Sequence, residues 1–182
     1  MEYTDNPYHP LVWINGDAEI GKGTYIGGFS DINGNGASLV IGAHCDISSF
    51  TAINVATTHR STLGLKDEER FQDIKIGNYV YIGSHSVIMG GTTIGGRSVI
   101  GAVTVLRGDK VPPYSLAIGN PSVIKPDHYR AELEAAGLLD DSSNYIINYS
   151  FILIKLFKLL KVKLFSVTSS YCWDRSWGLP RK

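Results

Sequence analysis

The chain carries an aliphatic residue at every sixth position over its middle third. These residues are Ile76, Ile82, Ile88, Ile94, Ile100 and Leu106. A small or β-branched residue follows four positions later, as at Val80, Ser86, Thr92, Ser98 and Thr104. A period of six fits neither an amphipathic helix, at about 3.6 residues per turn, nor a strand, at about two. It is typical of a parallel β-helix of hexapeptide repeats, in which the aliphatic and the small residue both point inward.

The same period is present earlier in the chain, with two interruptions. It begins at Ile14, and its spacing widens from six to nine residues between Ile32 and Ile41. The inserted residues, Asn33–Ser38, are rich in Asn and Gly and predict a turn that bulges from a corner. The second interruption is a polar segment that ends where Ile76 restarts the period. A long loop inside a compact repeat fold is more often functional than accidental.

The repeat also predicts how the corners and the ends of the β-helix are built. Glycines after the aliphatic residues, such as Gly77 and Gly83, are expected to permit tight corners. Three hexapeptides make one coil, so we count about four coils up to Leu106. Ile118 and Ile124 are expected to add a partial coil.

The pattern therefore predicts one all-β domain and a separate extension. The domain spans residues 1–140, with a loop insertion at 57–75 and a short capping helix at 128–139, where Ala, Glu and Leu favour helix. The extension spans 141–182. Its segment 145–165 is apolar but carries four lysines, which disfavour a membrane-spanning helix. Peripheral membrane contact or an oligomer contact through 145–165 both remain open.

Composition narrows the functional classes. Lysine plus arginine and aspartate plus glutamate both number 17, so no net field favours nucleic acid, and no nucleic-acid partner is expected. Two cysteines make no disulfide framework, and Cys45 occupies a small inward position, which predicts a buried thiol. The first residues show no basic region followed by an apolar run, so we expect a cytoplasmic protein.

Several local motifs resemble those of a known family. They are Ile76–Gly83, Val99–Ala102, the Val-Pro-Pro-Tyr segment 111–114, the Gly-Asn-Pro-Ser segment 119–122, and Thr58-His59-Arg60 beside the long loop. Over residues 14–125 the chain resembles the hexapeptide-repeat acyltransferases, in the branch of xenobiotic, galactoside and maltose acetyltransferases. The resemblance implies a left-handed parallel β-helix, a homotrimer and acetyl-CoA as co-substrate in a groove between subunits. It also suggests bacterial enzymes that acetylate sugars, including surface-polysaccharide precursors.

The resemblance further implies that His59 is the general base of acetyl transfer to a hydroxyl or amine. An imidazole with a reference pKa of about 6.5 is largely neutral at pH 7 and can accept the acceptor's proton. Its other nitrogen needs a hydrogen-bond acceptor, for which a loop carbonyl would serve. The developing oxyanion needs a donor, and the turn amides of Ser84–His85 or Gly101–Ala102 are candidates.

Further site residues follow from the same resemblance. The pantetheine arm of coenzyme A is expected at Ser84, Gly101, Ala102 and Thr104. The nucleotide end is expected at Arg107, Asn120, Pro121 and Lys125. The acceptor, a sugar or a nucleotide-linked sugar, is expected at Ser30, Asp31 and His85. The repeat residues among these would be present without any ligand, and the residues leave O- and N-transfer both open.

Two other classes compete with acyl transfer. A metal enzyme like the γ-class carbonic anhydrases uses three histidines, two of them close in sequence. Here His44, His59 and His85 are 15 and 26 residues apart, and no metal site is expected. A non-catalytic trimeric scaffold is the third class, because fold does not imply function. For a trimer, we expect the faces that bear Tyr25 or Tyr81 to be buried between subunits.

Overall fold

The computed structural model describes residues 8, 11–65 and 70–139. The chain divides into two units, residues 1–144 and 145–182, and all described residues belong to the first. The predictions for the extension at 141–182, and for its segment 145–165, therefore lie outside the described residues. None of the helices in the described part of the chain is long and apolar enough to cross a membrane.

The described residues fold into short strands with two short helices. In chain order the elements are β1 (Trp13–Ile20), β2 (Tyr25–Ile26), β3 (Asp31–Ile41), β4 (Asp46–Ile47), β5 (Ala52–Asn54), β6 (Ala56–Thr57), α1 (His59–Thr62), β7 (Arg70–Phe71), β8 (Ile74–Ile76), β9 (Tyr81–Ile82), β10 (Val87–Met89), β11 (Thr93–Ile94), β12 (Val99–Ile100), β13 (Val105–Arg107), β14 (Lys110–Val111), β15 (Leu116–Ile118), β16 (Val123–Lys125) and α2 (Arg130–Ala135).

The strands stack into three parallel faces, as the six-residue period predicts. The first face joins the first halves of β1 and β3 to β5, β10 and β13. The second face joins the second halves of β1 and β3 to β8, β11 and β14. The third face joins β2, β4, β9, β12 and β15. The fold is thus a left-handed parallel β-helix of about five turns.

The core consists of aliphatic residues stacked on one another from coil to coil. Each face supplies one inward column, and the three columns are Ile14-Ile32-Ile53-Ile88-Leu106, Ile20-Ile41-Ile76-Ile94-Val111 and Ile26-Ile47-Ile82-Ile100-Ala117. Apart from Ile14 and Ile20 in the first coil, all of these side chains are buried. The predicted core is confirmed, because the period places every such residue on the inside of a coil.

The small residues form a second link between coils. Ser98 Oγ accepts a hydrogen bond from Ser115 N at 3.1 Å and donates to Pro112 O at 3.0 Å. The corresponding links join Thr24 to Cys45, Ser30 to Thr51 and Ser86 to Thr104. No buried side-chain nitrogen or oxygen in the described residues lacks a partner. These hydroxyls therefore satisfy corner amides that the strand ladders leave unpaired.

The glycines have a different role from the one predicted. Gly77 and Gly83 do not adopt positive φ; a Cβ on them would stand 2.6 Å from Gly96 N and 2.5 Å from Ala102 N in the next coil. They are needed because the coils approach each other closely at these points. The left-handed corner residue comes two positions later and is usually not glycine, as at His85, where φ is +60°.

The predicted bulge at Asn33–Ser38 is confirmed: β3 passes from the first face to the second there, and the extra residues shift its register against β1. Two further expectations are corrected. Ala117, not Ile118, is the inward residue of the last coil, because Val111 follows Leu106 by only five residues and resets the phase. The capping helix is shorter than 128–139, since α2 has only six residues.

Removing one of the coil-bridging hydroxyls should destabilise the β-helix. Ser98→Ala leaves the buried Ser115 N–H without an acceptor, and we expect a loss of about 1–3 kcal/mol in the free energy of unfolding. Denaturant unfolding at matched protein concentration measures it. Ser48→Ala is the control, because its hydroxyl contacts only the exposed Tyr81 hydroxyl. A control as destabilised as Ser98→Ala would contradict the bridging role.

Candidate active site

The predicted site residues lie on different corners of the β-helix. We call the corner between the third and first faces the His85 corner, that between the second and third the Tyr79 corner, and that between the first and second the arm corner. The His85 corner and its margins hold Ser30, Asp31, Ser84, His85, Gly101, Ala102, Thr104, Asn120 and Pro121. His59 and Arg107 lie at the arm corner. Lys125 lies in β16, paired with Leu116.

His59 stands on an arm, residues 55–73, that leaves the arm corner between β5 and β8. The root of the arm is a two-stranded hairpin, in which β6 pairs antiparallel with β7. Gln72 N donates to Val55 O at 3.0 Å and closes the hairpin onto the β-helix. Of the predicted loop insertion at 57–75, the described residues, 57–65 and 70–75, form this hairpin and the turn α1, and the chain returns to the second face at Ile74.

The first turn after the hairpin presents the His59 side chain to solvent. His59 opens α1, and its carbonyl accepts a hydrogen bond from Leu63 N at 3.1 Å. The hydroxyls of Ser61 and Thr62 both donate to Thr58 O, at 2.8 and 3.2 Å, and fold the turn on itself. No described residue hydrogen-bonds the His59 imidazole, so its orientation by a loop carbonyl stays a prediction.

The His85 corner carries an exposed column of stacked rings. Phe29 and Phe50 stack with centroids 5.0 Å apart, and Phe50 stacks on His85 at 4.8 Å. All three residues have positive φ and occupy the third position after an inward aliphatic residue. Both phenylalanines are about half exposed, at 50% and 49%. The imidazole of His85 is thus one ring of an apolar column, with Val103 at the same position in the next coil.

Two backbone amides beside this column are available to a ligand. Of the four predicted turn amides, His85 N already donates to Ser49 O and Gly101 N donates to Ala117 O. Within the described residues, no acceptor faces the N–H of Ser84 or of Ala102. The two amides occupy equivalent positions in consecutive coils, about 4.8 Å apart along the axis.

Two of the predicted ligand-binding residues, Ser30 and Thr104, have buried side chains, and their contact with a ligand stays a prediction. Ser30 is fully buried, and its hydroxyl donates to Ser48 O at 3.3 Å and accepts from Thr51 N. Thr104 is equally buried, and its hydroxyl accepts from Gly119 N at 3.1 Å. Both belong to the bridges between coils. Asp31, by contrast, is exposed and accepts only a long hydrogen bond of 3.4 Å from Asn15.

The residues predicted for the nucleotide end are exposed, and three of the four lie at one end of the first face. Arg107 ends β13, where Asp109 Oδ2 accepts its backbone N–H at 2.6 Å. The turn that contains Asn120 and Pro121 reaches the same carboxylate, because Ser122 Oγ donates to Asp109 Oδ1 at 3.2 Å. Lys125 lies at the end of β16 that pairs with the start of β15, away from Asn120.

The other histidines and the thiol take no part in this arrangement. His44 stacks on Tyr79 at 5.1 Å, with the Arg97 guanidinium on the same ring at 4.5 Å, so it belongs to the Tyr79 corner. The three inner histidines thus stand on three different corners, and the described residues contain no group of three metal-ligating side chains. Burial raises the pKa of the Cys45 thiol, which donates to Gly77 O, and disfavours a thiolate nucleophile.

Comparisons with known proteins add to this geometry. The family described as bacterial transferase hexapeptide (six repeats) matches residues 73–108. A solved hexapeptide-repeat-containing acetyltransferase of Vibrio cholerae O1 biovar eltor, in complex with acetyl-CoA, is similar over 67% of this chain and 67% of its own, at 30% identity and a TM-score of 0.56. The chain belongs to the hexapeptide-repeat acyltransferases.

Curated relatives of this hexapeptide-repeat chain are similar over shorter stretches. The galactoside O-acetyltransferase of Escherichia coli strain K12 is 54% identical over 48 residues, 26% of this chain and 23% of that protein. The chloramphenicol acetyltransferase of Morganella morganii is 35% identical over 102 residues, 53% of this chain and 48% of that protein. The chain spans less than half the length of the curated relatives it matches.

The ring column of this hexapeptide-repeat chain was not predicted. The signal was present, because Phe29, Phe50 and His85 all follow an inward aliphatic residue by three positions. Residues at this position turn the corner with positive φ and project outward in register from coil to coil. Counting that position along the repeat would have found the column.

Proposed function

We propose that this chain is a CoA-dependent acetyltransferase that moves an acetyl group from acetyl-CoA to a hydroxyl or amine of a sugar or nucleotide-linked sugar. The observation that carries the proposal is an exposed His59 on a structured arm of a β-helix whose sequence is 30% identical to an acetyltransferase that binds acetyl-CoA. The two unpaired amides at Ser84 and Ala102 support a pantetheine site at the His85 corner.

In the proposed mechanism, His59 acts as a general base and no covalent enzyme intermediate forms. The neutral imidazole takes the proton of the acceptor hydroxyl or amine while that oxygen or nitrogen attacks the thioester carbonyl carbon. The tetrahedral intermediate carries an oxyanion, which a backbone N–H stabilises. Collapse breaks the carbon–sulfur bond, and the imidazolium returns its proton to the departing coenzyme A sulfur.

The proposed site needs two copies of the chain. His59 projects from the arm corner, whereas the amides of Ser84 and Ala102 lie at the His85 corner, across the first face. Six residues separate His85 from Gly91, so the two corners are about 15–20 Å apart at the rise of a strand. A homotrimer would place the His59 arm of one subunit against the His85 corner of the next. The exposed Phe29–Phe50 column supports such contact.

A sugar acceptor is supported by similarity to a galactoside O-acetyltransferase and by the polar surface near the arm. Asp31, Asn15, Asn33 and Asn54 lie on the outer side of the first face. Carboxylates and amides suit the hydroxyl groups of a sugar. A role in the acetylation of polysaccharide precursors would fit this chemistry.

Replacing His59 tests the base assignment. His59→Ala should lower kcat/KM by about 10²–10⁴-fold, as expected for a lost general base. Coenzyme A affinity and melting temperature should change little, because the His59 side chain is exposed and is not buried against any described residue. Thiol release from acetyl-CoA against a panel of sugars, nucleotide sugars and chloramphenicol is the assay.

His85→Ala and His44→Ala are the matched controls, because each removes an exposed imidazole from a different corner. Both should retain most of the activity. If His59→Ala kept more than about a tenth of kcat/KM while His85→Ala was inactive, His85 would be the base instead.

Mixing two inactive variants tests whether the site is shared. Ala102→Arg should block the cofactor groove without unfolding the chain, because Ala102 is exposed. If His59 and Ala102 belong to sites formed by different subunits, randomly mixed trimers of His59→Ala and Ala102→Arg should regain roughly a quarter of wild-type activity. Each variant alone is the control. A mixture that stays inactive after confirmed subunit exchange would place both groups in one chain's site.

We also propose that residues 145–165 mediate contact with anionic membrane surfaces. The segment is apolar and carries four lysines without an acidic residue. Full-length protein should sediment with vesicles containing phosphatidylglycerol, and less so at high salt, whereas a variant ending at residue 141 should remain in the supernatant. Equal sedimentation of both proteins would contradict the role.

A further inference from the structure

The arm that carries His59 is held to the β-helix by a small number of contacts. Its hairpin has two residue pairs, Ala56 with Phe71 and Thr57 with Arg70. His59 follows Thr57 by two residues, so any shift of this hairpin moves the imidazole with it. The helix α1 has no buried residue that could anchor the outer part of the arm to the β-helix. The root of the arm therefore contributes to the position of His59.

The residues inserted at 33–38 contact the incoming strand of that root. Asn33 Nδ2 donates to Asn54 Oδ1 at 3.3 Å, and the same oxygen accepts the N–H of Ala56 at 2.8 Å. Val55 N donates to Asn33 O at 3.2 Å. Asn33 thus holds the first residues of the arm in two ways: its side chain bonds Asn54, which bonds Ala56, and its carbonyl accepts the N–H of Val55.

The same insertion also contacts the outgoing strand. Ser38 N donates to Asp73 Oδ1 at 3.0 Å, and Asp73 O accepts the N–H of Gly91 in the next coil. Gly36, at φ +93°, lies against the Phe71 ring, and a Cβ there would stand 2.6 Å from Phe71 Cε1. Any other residue at position 36 would displace Phe71, which pairs with Ala56.

We propose that the 33–38 insertion fixes the position of the catalytic arm. Asn33, Gly36 and Asp73 would then be positioning residues for His59. This rests on the proposed function, in which His59 is the base. The insertion touches both strands of the hairpin, so it fixes the direction in which the arm leaves the corner. A misplacement of about 1 Å of a reacting group can cost about 100-fold in rate. The proposal explains why the six-residue period is broken at this coil.

Two pairs of variants test whether the 33–38 insertion positions the arm. Gly36→Ala drives a methyl group into Phe71, and its control is Gly137→Ala, which also places alanine at a positive φ (+65°, against +93° at Gly36) but has open space around it. Asp73→Ala removes the acceptor of Ser38 N, and its control is Asp73→Asn, which retains an acceptor oxygen. Gly36→Ala and Asp73→Ala should lower kcat by about 10–100-fold, with KM for acetyl-CoA within about twofold of wild type.

Hydrogen exchange gives a readout that does not depend on activity. In the two damaging variants, amides of residues 55–65 and 70–73 should exchange faster, while those of the third face remain protected. Gly137→Ala and Asp73→Asn should exchange like wild type at the arm. If the wild-type protein transferred no acetyl group, the proposed function would fail, and the exchange data would still decide whether the insertion holds the arm.

A double variant distinguishes positioning from an independent effect on rate. If Gly36 acts through His59, then Gly36→Ala added to His59→Ala should cause no further loss of kcat/KM. A further loss of about tenfold or more would overturn the proposal, because the insertion would then act on the reaction by another route. Unchanged arm exchange in both Gly36→Ala and Asp73→Ala would overturn it as well.

Discussion

Everything in this protein depends on the in-register stacking of one coil on the next. Each coil donates backbone N–H groups to the coil beside it, and the inward isoleucines stack in the same register. At the corners, where the ladders break, buried Ser and Thr hydroxyls bridge the coils instead. A shift of one residue in any coil would turn its isoleucine outward and leave these hydroxyls without partners, so the register is strongly specified.

The same stacking determines where chemistry can occur. The groups proposed for acetyl transfer, the His59 imidazole and the amides of Ser84 and Ala102, come from corners and from breaks in the period. The left-handed corner residue projects outward at equivalent places in successive coils, which builds the Phe29–Phe50–His85 column. The two breaks, at 33–38 and 55–73, meet at one corner and together carry His59.

The separation of groups within one chain is also a consequence of the β-helix. Three faces of three to four residues keep the corners apart, and no side chain spans a face. The imidazole of His59 and the unpaired amides of Ser84 and Ala102 therefore belong to different corners. Next to the arm corner, burial lowers the pKa of Lys75, while the charge of Asp73 raises it and that of Lys110 lowers it. The proposed shared site follows from this separation.

The sequence by itself determined the core and the position of His59 outside the repeat, because a period of six residues leaves one way to bury the isoleucines. It also located the two interruptions. Only the tertiary structure decided what they do: residues 33 and 54, or 38 and 73, are distant in sequence and meet because coils stack. Likewise Ser30 and Thr104 resemble ligand-binding residues in sequence, but the structure shows that their hydroxyls accept hydrogen bonds from backbone N–H groups of the next coil.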